Sequence, residues 1–520
     1  MTRLVVVGNG MVGSRFVEDL LAADSAQRFD VTVVGAEACE PYNRVLLSEV
    51  VAAKHDLAAL TLPTPTSERL TVLRGTHAVR LDRDDRVVEI DDGRHLRYDR
   101  LVLATGSDAR VPPLPGLRTG AGLTSGVHAL RTIDDAREIV AATLNARHAV
   151  VLGAGVLGME AACGLARRGV TVTVVHPAPA LMERQLDEEA SRVVEAAMAG
   201  LGIDQRVGRG AVEALTRHGR LAGLVLDDGT VLPADLLVLA TGTVPSTALA
   251  ASSGLAVDRG VVVGSDLACA ADPRVAAIGD CAQPPDGASG LVAQGWEQSR
   301  RLAARLCDAA PAGSPAAPSP AADVVRLKAH GLDVVTMGVC GVQRPGDPTQ
   351  RTLRLSDPAV GRHVEVVVSG DRLVGATCVG AGSVAAELVT AYTRRIPVPL
   401  DPAHLLLTAL ASRPTAAATP ADLPADATVC RCNGVSRGAI AACIQDGAGT
   451  VEEVAAATRA TTGCGGCAED VCTLLDVLRR SPVNARPGTA PAASPTSDLL
   501  REDDVTKGKH MIHSAETAAS

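Results

Sequence analysis

The sequence predicts an α/β fold, and two glycine-rich segments are the main evidence for it. Residues 4–13 (LVVVGNGMVG) form an apolar run that ends in glycines, and a helical stretch and a second apolar run, VTVVGAE, follow. Residues 149–160 (AVVLGAGVLGME) begin the same pattern, which VTVVH closes at 172–176. A strand, a glycine-rich turn, a helix and a second strand make the βαβ unit of Rossmann-like, dinucleotide-binding domains. Because the two units lie far apart in the chain, we predict that one such domain is inserted in the other.

Segments rich in alanine and proline divide the rest of the chain, whose 520 residues are too many for one hydrophobic core. DAAPAGSPAAPSPAAD and ASRPTAAATPADLPADA have the composition of linkers. HVEVVVSGDRLVGATCVG predicts two strands around a tight turn in a small α+β domain, and RGAIAACI and TVEEVAAAT predict a small helical module. The predicted bounds are as follows: first nucleotide-binding domain, 1–117 and 245–307; second nucleotide-binding domain, 118–244; linker, 308–323; small α+β domain, 324–408; linker, 409–428; cysteine module, 429–480; disordered tail, 481–520.

Charge, hydropathy and cysteine content exclude several classes of protein. The net charge of −9 argues against binding to nucleic acid, which needs clustered lysine and arginine. No apolar run is long enough to cross a bilayer, and the first strand begins too early to leave room for a signal peptide. An odd number of cysteines in a long chain is unlike a secreted disulfide framework. We therefore expect a cytoplasmic protein that binds neither membranes nor nucleic acid.

The first glycine segment has the spacing of a dinucleotide site. Gly8 allows a tight turn, Gly10 lets the backbone approach a pyrophosphate, and Gly13 lets helix and strand pack closely. The N-terminus of the following helix offers amide donors to phosphates. Glu37, just past the second strand, is placed to accept a hydrogen bond from a ribose hydroxyl.

Further motifs follow apolar strands in a fixed order. Thr105 and Gly106 end the run LVLATG, and LLVLATGTVPS repeats that pattern at 236–246. Gly279 and Asp280 end the run VAAIGD, where a carboxylate can accept hydrogen bonds from a polyol chain. Each motif alone predicts only a turn after a strand, whereas their order along the chain indicates a binding site.

The second glycine segment, with Gly153, Gly155 and Gly158, predicts a second dinucleotide site. Its second strand ends in His176 and not in the acidic residue that would accept from an NAD ribose and repel a 2′-phosphate. His176 and Arg184 could both approach a phosphate. The choice between NADH and NADPH therefore stays open.

Four cysteines near the C-terminus, in VCRC and GCGGC, predict a metal centre. Cys430, Cys432, Cys464 and Cys467 can place four thiolates around one site, which suits structural zinc and a [2Fe–2S] cluster equally. The remaining cysteines are predicted to be small buried side chains: Cys39, Cys163, Cys269, Cys281, Cys307, Cys340, Cys378, Cys443 and Cys472.

The order GNGMVG, PYNR, ATG, GAGVLGME, ATG, GD resembles the flavoprotein superfamily with two dinucleotide-binding domains that includes ferredoxin and rubredoxin reductases. GNGMVGSRF, EPYNRVLLSE and LMERQLD resemble the N-terminal half of NAD(P)H-nitrite reductase large subunits and the electron-transfer subunit of assimilatory nitrate reductase. The resemblance covers roughly residues 3–400. It implies FAD in the first nucleotide-binding domain and NAD(P)H in the second, and it favours NADH. A redox disulfide beside the flavin would need a cysteine near Asn43, so none is expected.

The resemblance also assigns residues to these cofactors. Trp296 would begin a helix that points at the flavin ring, although core packing explains it equally well. Glu160 would lie beside the nicotinamide as the catalytic residue. Relatives carry a lysine that pairs with this glutamate, but Glu49 stands at that position, so the pair is expected to be absent. The residues implied for FAD are Gly8, Gly10, Met11, Val12, Gly13, Glu37, Arg44, Val79, Thr105, Gly106, Gly279 and Asp280.

The cysteine module resembles the bacterioferritin-associated-ferredoxin-like [2Fe–2S] domain over its whole length, which implies that its four cysteines bind a cluster. Together the resemblances imply an electron route from NAD(P)H through FAD and the cluster to a separate catalytic subunit. An assimilatory molybdenum nitrate reductase is the expected acceptor, because a nitrite reductase would continue into a sirohaem half. The alternatives are a short nitrite reductase large subunit, a ferredoxin- or rubredoxin-type reductase, and a redox-sensing or iron-mobilising binding protein. Contacts through 324–408 would allow a homodimer or a heterocomplex.

Overall fold

A computed structural model describes residues 1–120, 122–308, 323–342, 346–406, 420–430, 433–463 and 465–480. Most of the two predicted linkers and the whole predicted tail at 481–520 lie outside these ranges. So do two of the predicted metal ligands, Cys432 and Cys464.

The first sheet has six strands. Adjacent strands pair in parallel, except that the edge strand Ala268–Cys269 is antiparallel to its neighbour. The helices Met11–Ala23 and Val292–Leu306 pack against each other beside it. Its inner strands are continuous apolar runs because both faces of a parallel sheet are covered. In spatial order the strands are Ala268–Cys269, Asp272–Ala277, Arg100–Leu103, Thr2–Val7, Phe29–Gly35 and Leu70–Arg74. A three-stranded antiparallel sheet shares its core: Ala78–Asp82, Val87–Ile90 and His95–Arg97.

The second sheet has five parallel strands, all from the chain between residues 127 and 239. In spatial order they are Val127–Ala129, Leu236–Leu239, His148–Leu152, Thr171–His176 and Asp204–Val207. Its helices are Ile133–Thr143, Val156–Arg167 and Glu188–Gly200, and a three-stranded antiparallel sheet consists of Ala211–Arg217, Arg220–Leu226 and Val231–Pro233.

The chain leaves the first domain and returns to it through one two-stranded ribbon, in which Ser107–Ala109 pairs antiparallel with Thr243–Pro245. The second sheet lies between these two connections. The predicted fold class is confirmed: two Rossmann-like domains, one inserted in the other.

The small α+β domain is an antiparallel sheet covered by the Gly382–Arg394 helix. The predicted hairpin is present, because Arg362–Ser369 pairs with Arg372–Val379. In spatial order the strands are Val325–Arg326, Val334–Gly338, Arg372–Val379, Arg362–Ser369 and Gln350–Asp357. Val334 and Val379 join the core of the second nucleotide-binding domain, so the α+β domain packs on that domain.

The cysteine module has three helices, Arg437–Gln445, Val451–Thr458 and Ala468–Arg480, beside the short pair Thr428–Cys430 and Val435–Ser436. Ser436 and Thr450 cap the first two helices by accepting hydrogen bonds from Ala439 N and Glu453 N. The remaining elements are the strands Arg118–Thr119, Gly122–Leu123, Val261–Val262 and Ala282–Gln283 and the short helices Arg44–Leu46, Leu47–Val51, Leu57–Leu60, Ala248–Ser252, Gly279–Cys281, Pro358–Val360 and Pro420–Asp422.

Within the described ranges, every helix is too short or too polar to traverse a bilayer.

Candidate functional site

The first and third glycines of each glycine loop are packed so closely that they leave no space for a side chain. A Cβ at Gly8, whose φ is +115°, would lie 2.1 Å from the Ala104 carbonyl oxygen, and one at Gly13 would lie 2.0 Å from the Gly8 oxygen. The second loop repeats this: a Cβ at Gly153 (φ +109°) would lie 2.4 Å from Ala240 O. Each loop leads directly into a helix N-terminus, at Met11 and Val156. Two equivalent cradles for a pyrophosphate are therefore present.

Glu37 and Arg44 are joined in one polar network with Tyr42. The Tyr42 hydroxyl donates to Glu37 Oε2 at 2.6 Å and accepts from Arg44 Nη1 at 2.8 Å, while Arg44 Nη2 also bonds to Glu37. Burial raises the pKa of Tyr42 well above its usual value, so the phenol remains a donor. The predicted ribose acceptor is thus held rigidly at the end of its strand.

Asp280 is oriented by two donors, neither of which was predicted from the sequence. Ser107 Oγ and Arg131 Nη2 each donate to Asp280 Oδ2 at 2.8 Å. Arg131 also accepts at its backbone oxygen from Arg44 Nη1 at 3.1 Å. It lies in the segment assigned to the second domain, and no motif surrounds it.

The other residues predicted at this site vary in their surroundings. Thr105 Oγ1 donates to Ser246 O at 2.6 Å, which ties the two ATG segments together. Gly279 N donates to Gln298 Oε1 at 2.7 Å. Val79 is 52% exposed. These assignments to FAD stay predictions.

Trp296 combines core packing with an unpartnered donor. The residue is 3% exposed and packs with Met11, Val45 and Leu62. Its Nε1 is buried without a hydrogen-bond partner among the residues that the structure describes. Because a buried N–H without an acceptor is costly, this atom fits a bound group that accepts a hydrogen bond, as a flavin ring can.

Glu160 is paired with a lysine, and the expectation that this pair is absent is wrong. Lys328 Nζ lies 2.8 Å from Glu160 Oε1, and the Lys328 backbone N–H donates to the same oxygen at 2.9 Å. Ser48 Oγ donates to Oε2 at 2.5 Å. Glu49, at the position of the relatives' lysine, instead lies 2.9 Å from His55 Nε2. The lysine therefore comes from the α+β domain, far away in the chain.

His176, at the end of the second strand of the inserted domain, is 9% exposed. Its Nδ1 accepts from Ala154 N, in the second glycine loop, at 3.3 Å. Its Nε2 lies 3.0 Å from Glu183 Oε2. Protein groups thus engage both ring nitrogens, and a carboxylate stands close to the strand end.

In the cysteine module, two predicted ligands line one core. Cys430 is fully buried and Cys467 is 5% exposed, and both belong to the module's apolar cluster. Asn433 Nδ2 donates to Cys430 Sγ at 3.7 Å. Because Cys432 and Cys464 lie outside the described residues, no metal-binding group of three or more side chains is found among those residues. Two enclosed thiols in one small core fit a cluster or a zinc ion.

The module docks on the first nucleotide-binding domain. Asn43 Nδ2 donates to Thr462 O at 2.9 Å and Gly463 O at 2.5 Å, immediately before Cys464. Arg459 Nε donates to Glu18 Oε1 at 2.6 Å.

Two more contacts extend this interface. Arg15 Nη1 donates to Asn433 Oδ1 at 3.0 Å. A Cβ at Gly465 would lie 2.9 Å from the Leu46 side chain. Asn43 and Leu46 flank Arg44 and Val45, so the loop that carries the predicted ligands lies against the wall of the first site.

Residues 2–300, more than half of the chain, match the model of a family described as pyridine nucleotide-disulphide oxidoreductase. The chain belongs to this family. Residues 428–476 match the BFD-like [2Fe-2S] binding domain. These matches confirm FAD, NAD(P)H and a [2Fe–2S] cluster as the cofactors, and they decide the choice between cluster and zinc that the residues left open.

Several known proteins are similar to this chain over most of its length. A nitrite reductase [NAD(P)H] of Bacillus subtilis is 32% identical over 89% of this chain and 56% of its own length. An assimilatory nitrate reductase electron transfer subunit of the same organism is 30% identical over 97% of this chain and 63% of its own length. The chain thus spans less than two thirds of either relative. A crystal structure of a covalent putidaredoxin reductase–putidaredoxin complex is 27% identical, with a TM-score of 0.68 over 79% of this chain and 99% of the solved one.

Burial distinguishes the nine remaining cysteines: four are buried as predicted, four are half-buried, and the prediction is wrong for the exposed Cys472. Cys163, Cys269, Cys281 and Cys378 are buried, whereas Cys472 is exposed on the last helix. The intermediate ones are Cys39, Cys307, Cys340 and Cys443. Burial raises the pKa of Cys163 and Cys378 to about 12 and that of Cys269 to about 11. Cys472 faces outward because it lies on the polar side of its amphipathic helix.

We predict that iodoacetamide at pH 8 alkylates Cys472 well before the buried thiols of Cys163, Cys269 and Cys378. The thiolate is the reactive form, and the buried thiols stay protonated far below their raised pKa values. Peptide mass spectrometry of the native holoprotein measures the order, and the unfolded chain, in which all cysteines should react at similar rates, is the control. Early labelling of Cys163 would contradict the burial found for it.

Proposed function

We propose that this chain is an NAD(P)H-dependent FAD oxidoreductase that passes electrons through its own [2Fe–2S] module to a separate catalytic subunit, an assimilatory nitrate reductase. The observation that carries the proposal is the docking of the cysteine module against the residues that border the first nucleotide site. Asn43 holds the backbone of the module's ligand loop, and Val45 packs against Trp296. This contact supports a short electron route within one chain.

At the nicotinamide end of the site, protein groups fix the position of the Glu160 carboxylate and balance its charge. Glu160 is a buried carboxylate on the helix that follows the second glycine loop, and Lys328 and Ser48 fix both of its oxygens. A bound flavin supplies chemistry that side chains lack, because it takes up electrons in pairs and releases them singly. In this proposal Glu160 lines the hydride path, and the Lys328–Glu160 pair keeps the site preorganised.

The relative that matches 97% of this chain, an electron transfer subunit of assimilatory nitrate reductase, supports nitrate reductase as the acceptor. The nitrite reductase of the same organism makes nitrite reduction the second candidate. We propose a heterocomplex with the catalytic subunit as the working assembly.

An anaerobic titration of the purified chain with NADH, and separately with NADPH, tests the electron route. We expect flavin bleaching followed by loss of a cluster band, with about two iron and two sulfide per chain. Cys467→Ser should retain flavin bleaching and lose both the iron and the second phase. Zinc in place of iron in the wild-type chain would refute the proposed route.

The acceptor is tested by adding candidate catalytic subunits to the holoprotein. NADH-dependent loss of nitrate with a molybdenum nitrate reductase supports the proposal, and loss of nitrite with a sirohaem protein supports the second candidate. Turnover with ferricyanide alone would indicate a general ferredoxin-type reductase. Cofactor binding without turnover would indicate a redox sensor.

Trp296 provides a spectroscopic test of the flavin position, because it is the only tryptophan of the chain. We predict that removing FAD raises indole emission several-fold and that adding FAD back quenches it, since a flavin in contact with an indole quenches its fluorescence. ADP, which can occupy the same glycine loop without a flavin ring, is the control and should leave the emission unchanged. Equal emission with and without FAD would place the ring away from Trp296.

A further inference from the structure

The end of the second strand in the inserted domain is where a dinucleotide's adenosine ribose is read. An acidic residue there accepts from the ribose hydroxyls and repels a 2′-phosphate. This chain has His176 at that position, so its sequence leaves the selectivity open. The geometry around His176 supplies the missing carboxylate.

The hydrogen bonds of His176 define the direction in which it donates. Nδ1 accepts from the Ala154 N–H at 3.3 Å, so the ring proton in this pattern is on Nε2. Nε2 then donates to Glu183 Oε2 at 3.0 Å. His176 has no free donor for a phosphate, and its role is to hold Glu183.

Two backbone contacts place Glu183 beside the glycine loop. Met182 N donates to the Ala154 carbonyl oxygen at 3.0 Å, which anchors the preceding residue to the loop. Val342 N, from the α+β domain, donates to Glu183 O at 3.0 Å. A Cβ at Gly341 would lie 2.4 Å from Arg184 O, so the backbones of the two segments are in close contact. The Glu183 side chain is 26% exposed and accessible to a ligand.

The nearby cation Arg209 is already engaged. Its guanidinium Nε lies 3.1 Å from Asp228 Oδ2, while its backbone N–H donates to His176 O at 3.1 Å. Arg209 is therefore paired, and the carboxylate that His176 holds at the strand end is that of Glu183.

We infer that Glu183, presented by His176, accepts a hydrogen bond from the adenosine ribose of NADH and excludes the 2′-phosphate of NADPH. Oε2 is held by His176, which leaves the second carboxylate oxygen, Oε1, to accept from the ribose in this proposal. Like charges brought together at a binding site are strongly unfavourable. The inference rests on the proposed function in one respect, that a nicotinamide dinucleotide binds at the second glycine loop.

The test compares kcat/KM for NADH and NADPH, measured by flavin reduction in the holoprotein. We expect the wild type to favour NADH by about 100-fold, and Glu183→Gln to lower this ratio about tenfold or more. Glu188→Gln removes an equal charge from an exposed residue on the next helix and should leave the ratio unchanged. A wild type that prefers NADPH, or a ratio that Glu183→Gln does not alter, would overturn the inference, as would equal effects in both variants.

His176 is tested as a positioning residue. His176→Ala should raise KM for NADH with little change in kcat and should lower the NADH/NADPH ratio, whereas His176→Gln, whose amide can still donate to Glu183, should restore both. A kcat loss without any change in ratio would overturn this role.

Calorimetric titration of the holoprotein with NAD⁺ and NADP⁺ provides a readout without turnover. Tighter binding of NAD⁺ that Glu183→Gln abolishes supports the inference even if electrons never reach a partner. Equal binding of the two nucleotides by the wild type would refute it. Failure of the proposed electron route would appear instead as normal NAD⁺ binding with no flavin or cluster reduction.

Discussion

Glu18→Arg is expected to leave NADH-driven flavin bleaching unchanged and to slow bleaching of the cluster about tenfold or more. Glu18 pairs with Arg459 of the cysteine module, whose side chain is only 10% exposed. Two like charges at this contact would repel the module, and each 1.4 kcal/mol lost from docking lowers the docking equilibrium constant about tenfold. Anaerobic stopped-flow spectroscopy separates the two phases.

Charge reversal on both sides is the decisive control. Arg459→Glu alone should slow the cluster phase similarly, and the double variant with Glu18→Arg should recover most of the wild-type rate. The matched control is the exchange of Glu297 and Arg300, an exposed pair on another helix of the same domain, which should change neither phase. A cluster phase that stays fast in both single variants would show that the docked arrangement is not the route.

Lys328→Met is expected to lower the free energy of unfolding by about 3–5 kcal/mol, the usual cost of removing one partner from a buried ion pair. Glu160 is 3% exposed, and Lys328 supplies both an ammonium and a backbone donor to its Oε1. Without the ammonium, a buried carboxylate loses its counter-charge. Denaturant unfolding of the holoprotein measures the loss, and flavin bleaching by NADH should slow in parallel.

A double variant separates the effect of the unpaired charge on Glu160 from the other effects of replacing Lys328. Lys328→Met with Glu160→Gln removes both charges and should recover most of the lost stability, while activity stays low. Lys54→Met, at an exposed lysine of the first domain, is the control and should change stability by about 0.5 kcal/mol or less. If Lys328→Met behaves like Lys54→Met, the ion pair contributes nothing to the fold.

Local motifs were the predictable part of this protein. The glycine spacings around Gly8 and Gly153 encode positive φ angles and close backbone contacts, which depend on neighbours a few residues away and on one adjacent strand. The motifs at Thr105 and Asp280 were predictable for a similar reason, because each follows directly after an apolar strand. Sequence patterns therefore predicted the fold class and, with the family resemblance, the cofactors.

Contacts between residues far apart in the chain could not be predicted from the spacing of sequence motifs. Lys328 reaches Glu160 across 168 positions of the chain, and Asn43 reaches the module's loop across more than 400. Glu49, at the position of the relatives' lysine, even suggested that Glu160 had no lysine partner, because Lys328 lies in another domain. Glu183 escaped notice for a related reason, since only the folded loop returns it to His176.

The sequence by itself determined the two nucleotide-binding folds, their order and the cysteine-bearing module, because each follows from short-range periodicity and backbone constraints. Only the tertiary structure decided which side chains complete the sites: Lys328 for Glu160, Arg131 for Asp280, and the Glu18–Arg459 and Asn43 contacts that seat the module beside Trp296. The physical reason is that charge pairing and docking depend on distances in space, and the chain brings these groups together only after its domains have packed.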